Sequence, residues 1–205
     1  MDDKTKAYAN LSKRSYDNEA NGTTINGYKK VDSTTDNYGL SATAYIKDGT
    51  MVIAYKGTDK PGEGALIDYT GSNLRIGLGQ DPFQLAEAQR FYDKMKKKAD
   101  FRGLDLEVTG HSLGGALATL IAAKNSTDDA QVNAYAFNAP GTQKTISNWG
   151  KDYAGRDYSD NIHNYNTTND YVHRIGTQPG SSESIDLSSY YGVPNIFEPF
   201  FGSPD

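Results

Sequence analysis

Residues 110 to 114 read Gly110-His111-Ser112-Leu113-Gly114, a G-x-S-x-G pattern. They close the run Leu104-Asp105-Leu106-Glu107-Val108-Thr109 and open the alanine-rich stretch 115 to 123. Strand, tight turn and helix in that order make a nucleophile elbow, which presents a serine hydroxyl to an acyl group. The spacing has a physical reason. A serine at the tip of so sharp a turn leaves no room for side chains two residues either side, and glycine supplies none. The helix after Ser112 aims its free N–H groups and dipole at the reacting centre. The N–H of Leu113 is therefore the natural first donor to an oxyanion.

A serine nucleophile needs a base to take its proton and an acid to orient that base. With this elbow the chain order is Ser, then Asp or Glu, then His. Asp170 follows the strand-like run Ile162 to Asn166 at its carboxyl end, where open α/β sheets place their sites. Asp152, Asp157 and Asp160 are rivals, but they precede that strand. The chain holds three histidines. His111 lies inside the elbow. His163 lies within the strand before Asp170. His173 follows Asp170 by three residues, a spacing that near-extended chain does not easily turn into a facing pair. The base is thus left open between His173, His163 and a histidine beyond Asp205. A second oxyanion donor should follow an early strand. Lys56-Gly57-Thr58 follows the run 51 to 55 directly, and Thr58 can offer its N–H and its hydroxyl; a plain turn is the alternative.

The elements that must hold these groups can be read in outline. Residues 4 to 16 are helical in pattern, and 17 to 38 read as loop. Runs 40 to 46 and 51 to 55 flank Asp48-Gly49 and predict a hairpin. The glycine-rich segment 59 to 82 reads as loop with short helical pieces. A helix follows from Pro82 to about Ala99, then the elbow, then a strand at 132 to 137. A helix over about 142 to 155, the strand 162 to 166, and a loop-like region past 175 complete the chain. Strands alternating with helices indicate an α/β fold with a mostly parallel sheet and an antiparallel hairpin at its start. At 205 residues, with no repeat, a single domain over 1–205 is expected.

Composition narrows the chemistry. A net charge of −5 argues against nucleic-acid binding. The basic cluster Lys94, Lys96, Lys97 and Lys98 reads as a solvated helix end. With no cysteine there is neither a disulfide nor a thiol nucleophile. No metal-ligand cluster is visible, and no cofactor is expected. The amino terminus lacks the apolar segment of a signal peptide, and no run reaches the ~18 apolar residues of a membrane helix. A cytoplasmic protein, a domain cut from a longer chain, or export by a route without a cleaved signal are the expectations.

Several of these segments resemble the class 3 lipases of the α/β-hydrolase superfamily, in particular bacterial lipase-like members. Ala54-Tyr55-Lys56-Gly57-Thr58 resembles their F-R-G-T oxyanion motif, and Ile67 to Leu74 their D-W-x-x-N-L segment. Thr109 to Ala118 is nearly their elbow verbatim. Ala136-Phe137-Asn138-Ala139-Pro140-Gly141 resembles T-F-G-A-P-R, and Asn166 to Val172 resembles N-x-x-D-x-V. Lys56 and Asn138 stand where the family usually has Arg and Gly. The resemblance implies an α/β-hydrolase fold and an acyl-ester hydrolase with Ser112 as nucleophile, Asp170 as acid, and Thr58 and Leu113 as oxyanion donors. It implies a lipid ester substrate, phospholipid included, transient contact with a membrane surface, and a lid over 59 to 82. Two other readings stand beside it: a catalytically incomplete relic that binds a lipid or a protein partner, and an antibacterial phospholipase effector.

Overall fold

Two Asx-Gly pairs start the sheet. Strands β1 (Thr24–Ile25) and β2 (Tyr28–Thr35) meet at Asn26-Gly27, with φ of 50° and 82°. Strands β3 (Ser41–Lys47) and β4 (Thr50–Tyr55) meet at Asp48-Gly49, with φ of 46° and 83°. A two-residue hairpin loop of this kind requires both residues to be left-handed, which Asn, Asp and Gly tolerate. The second hairpin is the one expected from sequence. The first corrects the expectation of a loop over 17 to 38. Only Tyr28 and Lys30 of β2 are fully buried, so the strand carries no apolar alternation. It exists because the Asn-Gly turn and pairing with β3 set it in place.

This computed structural model describes residues 1–185 apart from 16, 18, 36–39, 58–81 and 169. Among them one eight-stranded sheet runs in chain order. From β4 onward its pairs are parallel: β5 (Asp105–His111), β6 (Ala134–Phe137), β7 (Ile162–Thr167) and β8 (Ser181–Ile185). Tyr55 sits opposite Gly110, His111 opposite Phe137, and Phe137 opposite Tyr165. The carboxyl ends of four strands therefore meet at one edge, where a site in such a sheet belongs. The expected fold class is the one observed. Between residues 175 and 185, where a loop was expected, the chain forms β8; residues 186–205 lie outside the described residues. Four of its five residues are exposed, so the strand is made by backbone pairing with β7, which leaves no apolar trace in sequence.

Helices α2 (Pro82–Arg102) and α3 (Leu113–Asn125) cover one face, and α1 (Asp3–Arg14) covers the other. Every residue of α3 from Leu113 to Ala123 is buried, as an alanine-rich helix pressed against a sheet requires. On the opposite face the buried Glu107 receives Lys4 at 2.9 Å, Asn133 at 3.1 Å and the Tyr8 hydroxyl, which ties α1 to β5. Over 142 to 155 two short helices, α4 (Gln143–Ser147) and α5 (Lys151–Ala154), replace the one expected. They part just before Gly150, whose φ of 129° a continuous helix cannot accept. The lysines of α2 are not merely solvated. Lys94 and Lys98 reach Asp32 of β2 at 3.0 and 2.5 Å, and Lys96 pairs with Asp100. Exposed pairs of this kind contribute at most about 1 kcal/mol each.

Candidate active site

Ser112 joins β5 to α3 with φ 54° and ψ −126°. A non-glycine residue held there stores about 1–3 kcal/mol of strain, which its surroundings must enforce. Three glycines make the enforcement feasible. A Cβ on Gly110 would lie 2.2 Å from the Gly114 backbone, and one on Gly114 would lie 2.1 Å from the Tyr55 carbonyl oxygen. A Cβ on Gly115 would lie 2.7 Å from that of Ala139. The Ser112 N–H donates to the Phe137 carbonyl at 2.9 Å, and the Ser112 carbonyl accepts from Ala116 at 3.1 Å. The elbow is thus clamped to β4 on one side and β6 on the other. Leu113, in the first turn of α3, has no intrahelical acceptor for its N–H.

The close approach of Gly114 to Tyr55 sets the end of β4 against the elbow, and with it Lys56 and Gly57. Thr58, the expected second donor, lies outside the described residues. So do the expected lid, the Ile67 to Leu74 motif and the aromatic residues from Tyr190 to Phe201.

Asp170 follows β7 and is 5% exposed. One of its oxygens accepts both the His173 N–H at 2.9 Å and His173 Nδ1 at 3.1 Å. The obstacle expected from a three-residue spacing does not arise. The chain coils into a 3₁₀ turn over Val172–Arg174, and residues three apart then share a face. His163 sits elsewhere. It is the second residue of β7, its Nδ1 3.2 Å from the Ser181 hydroxyl and its ring 5.1 Å from that of Tyr135. That is the amino end of the strand, remote from the edge that carries Ser112. Among the described residues no hydrogen bond joins the His173 ring to the Ser112 hydroxyl. Such bonds are often long until substrate is bound.

His111 lies beside the elbow with its pKa lowered to about 4. Burial is the main cause, and the carboxylate of Asp170 works against it, so Asp170 lies within electrostatic reach of the elbow. The unfolded chain therefore binds a proton at His111 near pH 6.5, whereas the folded chain resists it down to about 4. Folding stability should accordingly fall as pH drops through this window, by at most about 1.4 kcal/mol per pH unit from this group. Urea midpoints between pH 7 and 4 check it: His111→Asn should flatten the acid slope.

Asn138 is a residue whose role sequence reasoning missed. Its φ of 46° is left-handed, which explains why Asn stands where the resembling family has Gly. The buried amide does more than permit the turn. Its Oδ1 accepts from the Thr167 N–H at 2.8 Å, its Nδ2 donates to the Thr167 hydroxyl at 3.2 Å, and its own N–H donates to the Tyr165 carbonyl at 2.9 Å. Asn138 thereby pins the end of β7, three residues before Asp170, to the strand end that holds Ser112. The signal was a turn-forming Asn directly after the apolar β6. Gln178 adds a second tie, donating to the Ala139 carbonyl at 2.7 Å and exchanging amide bonds with Asn166. Asn138→Gly keeps the backbone and orphans the Thr167 N–H, which should cost about 1–3 kcal/mol in urea unfolding. Asn138→Ala should cost about 1–2 kcal/mol more, because alanine resists the left-handed turn.

Among the described residues no group of three His, Cys, Asp or Glu side chains could hold a metal ion. None of the described helices is long and apolar enough to cross a membrane.

A sheet that turns antiparallel to parallel at β4, with a strained serine between β5 and α3, defines an α/β-hydrolase. Solved lipases share this fold. A triacylglycerol lipase whose catalytic centre is a serine-protease triad superposes with TM-score 0.65 at 18% identity, over 90% of this chain and 80% of that one. The lipase of Rhizopus microsporus var. chinensis gives 0.65 at 16%, over 89% and 73%; the Lip2 lipase of Yarrowia lipolytica gives 0.62 at 15%, over 91% and 80%. No curated protein matches the chain in sequence. Residues 3–196 match the Tle-like phospholipase domain, and the chain belongs to that phospholipase-like family. It is a carboxylic ester hydrolase of the lipid-cleaving kind.

Proposed function

We propose that Ser112 is the nucleophile of a phospholipid carboxyl-ester hydrolase and that Asp170 and His173 complete its charge relay. The observation that carries this reading is the Asp170–His173 bond at the strand edge that also carries Ser112. The Ser112 oxygen attacks the ester carbonyl while Nε2 of His173 takes its proton. Asp170 holds Nδ1–H, fixing the tautomer and stabilising the imidazolium. The N–H groups of Leu113 and Thr58 receive the oxyanion, aided by the dipole of α3. His173 returns the proton to the leaving glycerol oxygen. Water, activated by the same ring, then attacks the acyl-serine carbonyl and releases the carboxylic acid.

The chemistry needs no metal and no cofactor. The substrate resides in a lipid surface, so contact with a membrane is transient and at the site edge. The serine-protease triad of the triacylglycerol lipase that shares this fold supports the assignment. A base-less relic is the rival reading, and the Asp170–His173 bond supports the complete relay over it.

A fluorophosphonate probe tests the proposal. The full chain should form an adduct that peptide mass spectrometry places on Ser112, and it should release fatty acid from phosphatidylcholine vesicles. A folded chain that takes no adduct would overturn it.

A further inference from the structure

At the start of the turn that carries His173, Tyr171 is 69% exposed. The guanidinium of Arg174 lies over it, 5.1 Å from the ring centre. One Nη of Arg174 donates to the Thr168 carbonyl at 3.2 Å. These two contacts set the direction of the guanidinium. Among the described residues no carboxylate pairs with Arg174. The nearest in sequence, Asp170, is buried and engaged by His173. An arginine has five N–H donors, and this one spends a single donor internally. The rest form a planar fork over the Tyr171 ring, on the turn that carries His173.

We infer that Tyr171 and Arg174 form the headgroup subsite of the enzyme, in which Arg174 binds the phosphate of the phospholipid being cleaved. A planar fork matches phosphate oxygens in a bidentate way that a lysine cannot copy. An exposed tyrosine suits the boundary between headgroups and acyl chains, with its ring against the lipid and its hydroxyl in water. The geometry of the substrate agrees with the order along the chain. Only the glycerol backbone separates the scissile ester from the phosphate, and Arg174 directly follows His173 on the same turn. A phosphate there would be recognised beside the base, which favours phospholipids over neutral glycerides.

The inference rests on the proposed role of Ser112 and His173, and the test separates the two. Arg174→Gln should raise the apparent KM for monomeric dihexanoyl phosphatidylcholine about ten-fold and leave p-nitrophenyl acetate hydrolysis within two-fold. Arg174→Lys should recover only part of the loss. In the Ser112→Ala chain, which needs no turnover, Arg174→Gln should weaken dihexanoyl phosphatidylcholine binding by a similar factor. If the wild-type chain hydrolyses no ester but this binding loss is seen, the subsite stands and the catalytic reading falls. An equal loss on both esters would show a merely structural turn and overturn the subsite. A loss confined to anionic phosphatidylglycerol vesicles, with zwitterionic monomers unaffected, would show surface-charge steering and overturn it as well. Inorganic phosphate that displaces the bound lipid from the Ser112→Ala chain, but not from its Arg174→Gln derivative, would support the phosphate as the recognised group.

Discussion

Ser112→Ala should lower kcat on any ester by about 10⁶-fold, because a nucleophile removed from a relay that acts as a unit takes nearly the whole acceleration with it. Fatty-acid release from phosphatidylcholine measures the loss, and fluorophosphonate labelling should vanish with it. A residual rate within ten-fold of wild type would exclude Ser112. A companion variant separates chemistry from folding. Ser112 sits at φ 54° and ψ −126°, a conformation glycine adopts far more readily. Ser112→Gly should therefore be as inactive as the alanine variant, yet more stable by about 1 kcal/mol in urea unfolding. Alanine shares the strain and should gain nothing. An inactive chain that is also more stable is the mark of a residue kept for function at the expense of the fold.

His173→Ala should cost at least about 10⁴-fold in kcat with little change in KM, since the base acts in the transition state and not in substrate binding. His163→Ala should stay within a few-fold of wild type, because that ring lies at the amino end of β7 against Ser181 and Tyr135. Asp170→Asn should fall about 10⁴-fold, since an amide leaves the imidazole in the wrong tautomer. If His173→Ala kept its activity, His173 would not be the base and the proposed relay would fall. These three variants, assayed on one short-chain ester, decide among the histidines that sequence left open.

The parts of the fold visible in sequence were those whose residues are chosen by burial or by a special backbone. The elbow, the alanine-rich α3 and the Asp48-Gly49 hairpin all announce themselves this way. What stayed hidden was made by backbone pairing alone. Neither β2 nor β8 shows a regular apolar alternation, because each gains its place largely by pairing with a neighbouring strand. The site divides along the same line. Ser112 is specified by its own pentapeptide, and Asp170 by the strand before it. The pairing of His173 with Asp170 depends on a 3₁₀ turn, which leaves no periodicity to read over three residues. Asn138 was legible as a departure from the resembling motif. Its use became legible only when Thr167 was seen against it.

The strict chain order of the sheet bears on how the enzyme comes into being. Among the described residues each strand lies beside the one before it in sequence. Ser112 follows the fifth strand, whereas His173, proposed as its proton acceptor, follows the seventh, some 60 residues later. At about 5–20 residues per second, several seconds of translation separate the two. On the proposed relay, a chain that ends before His173 carries a serine without its base.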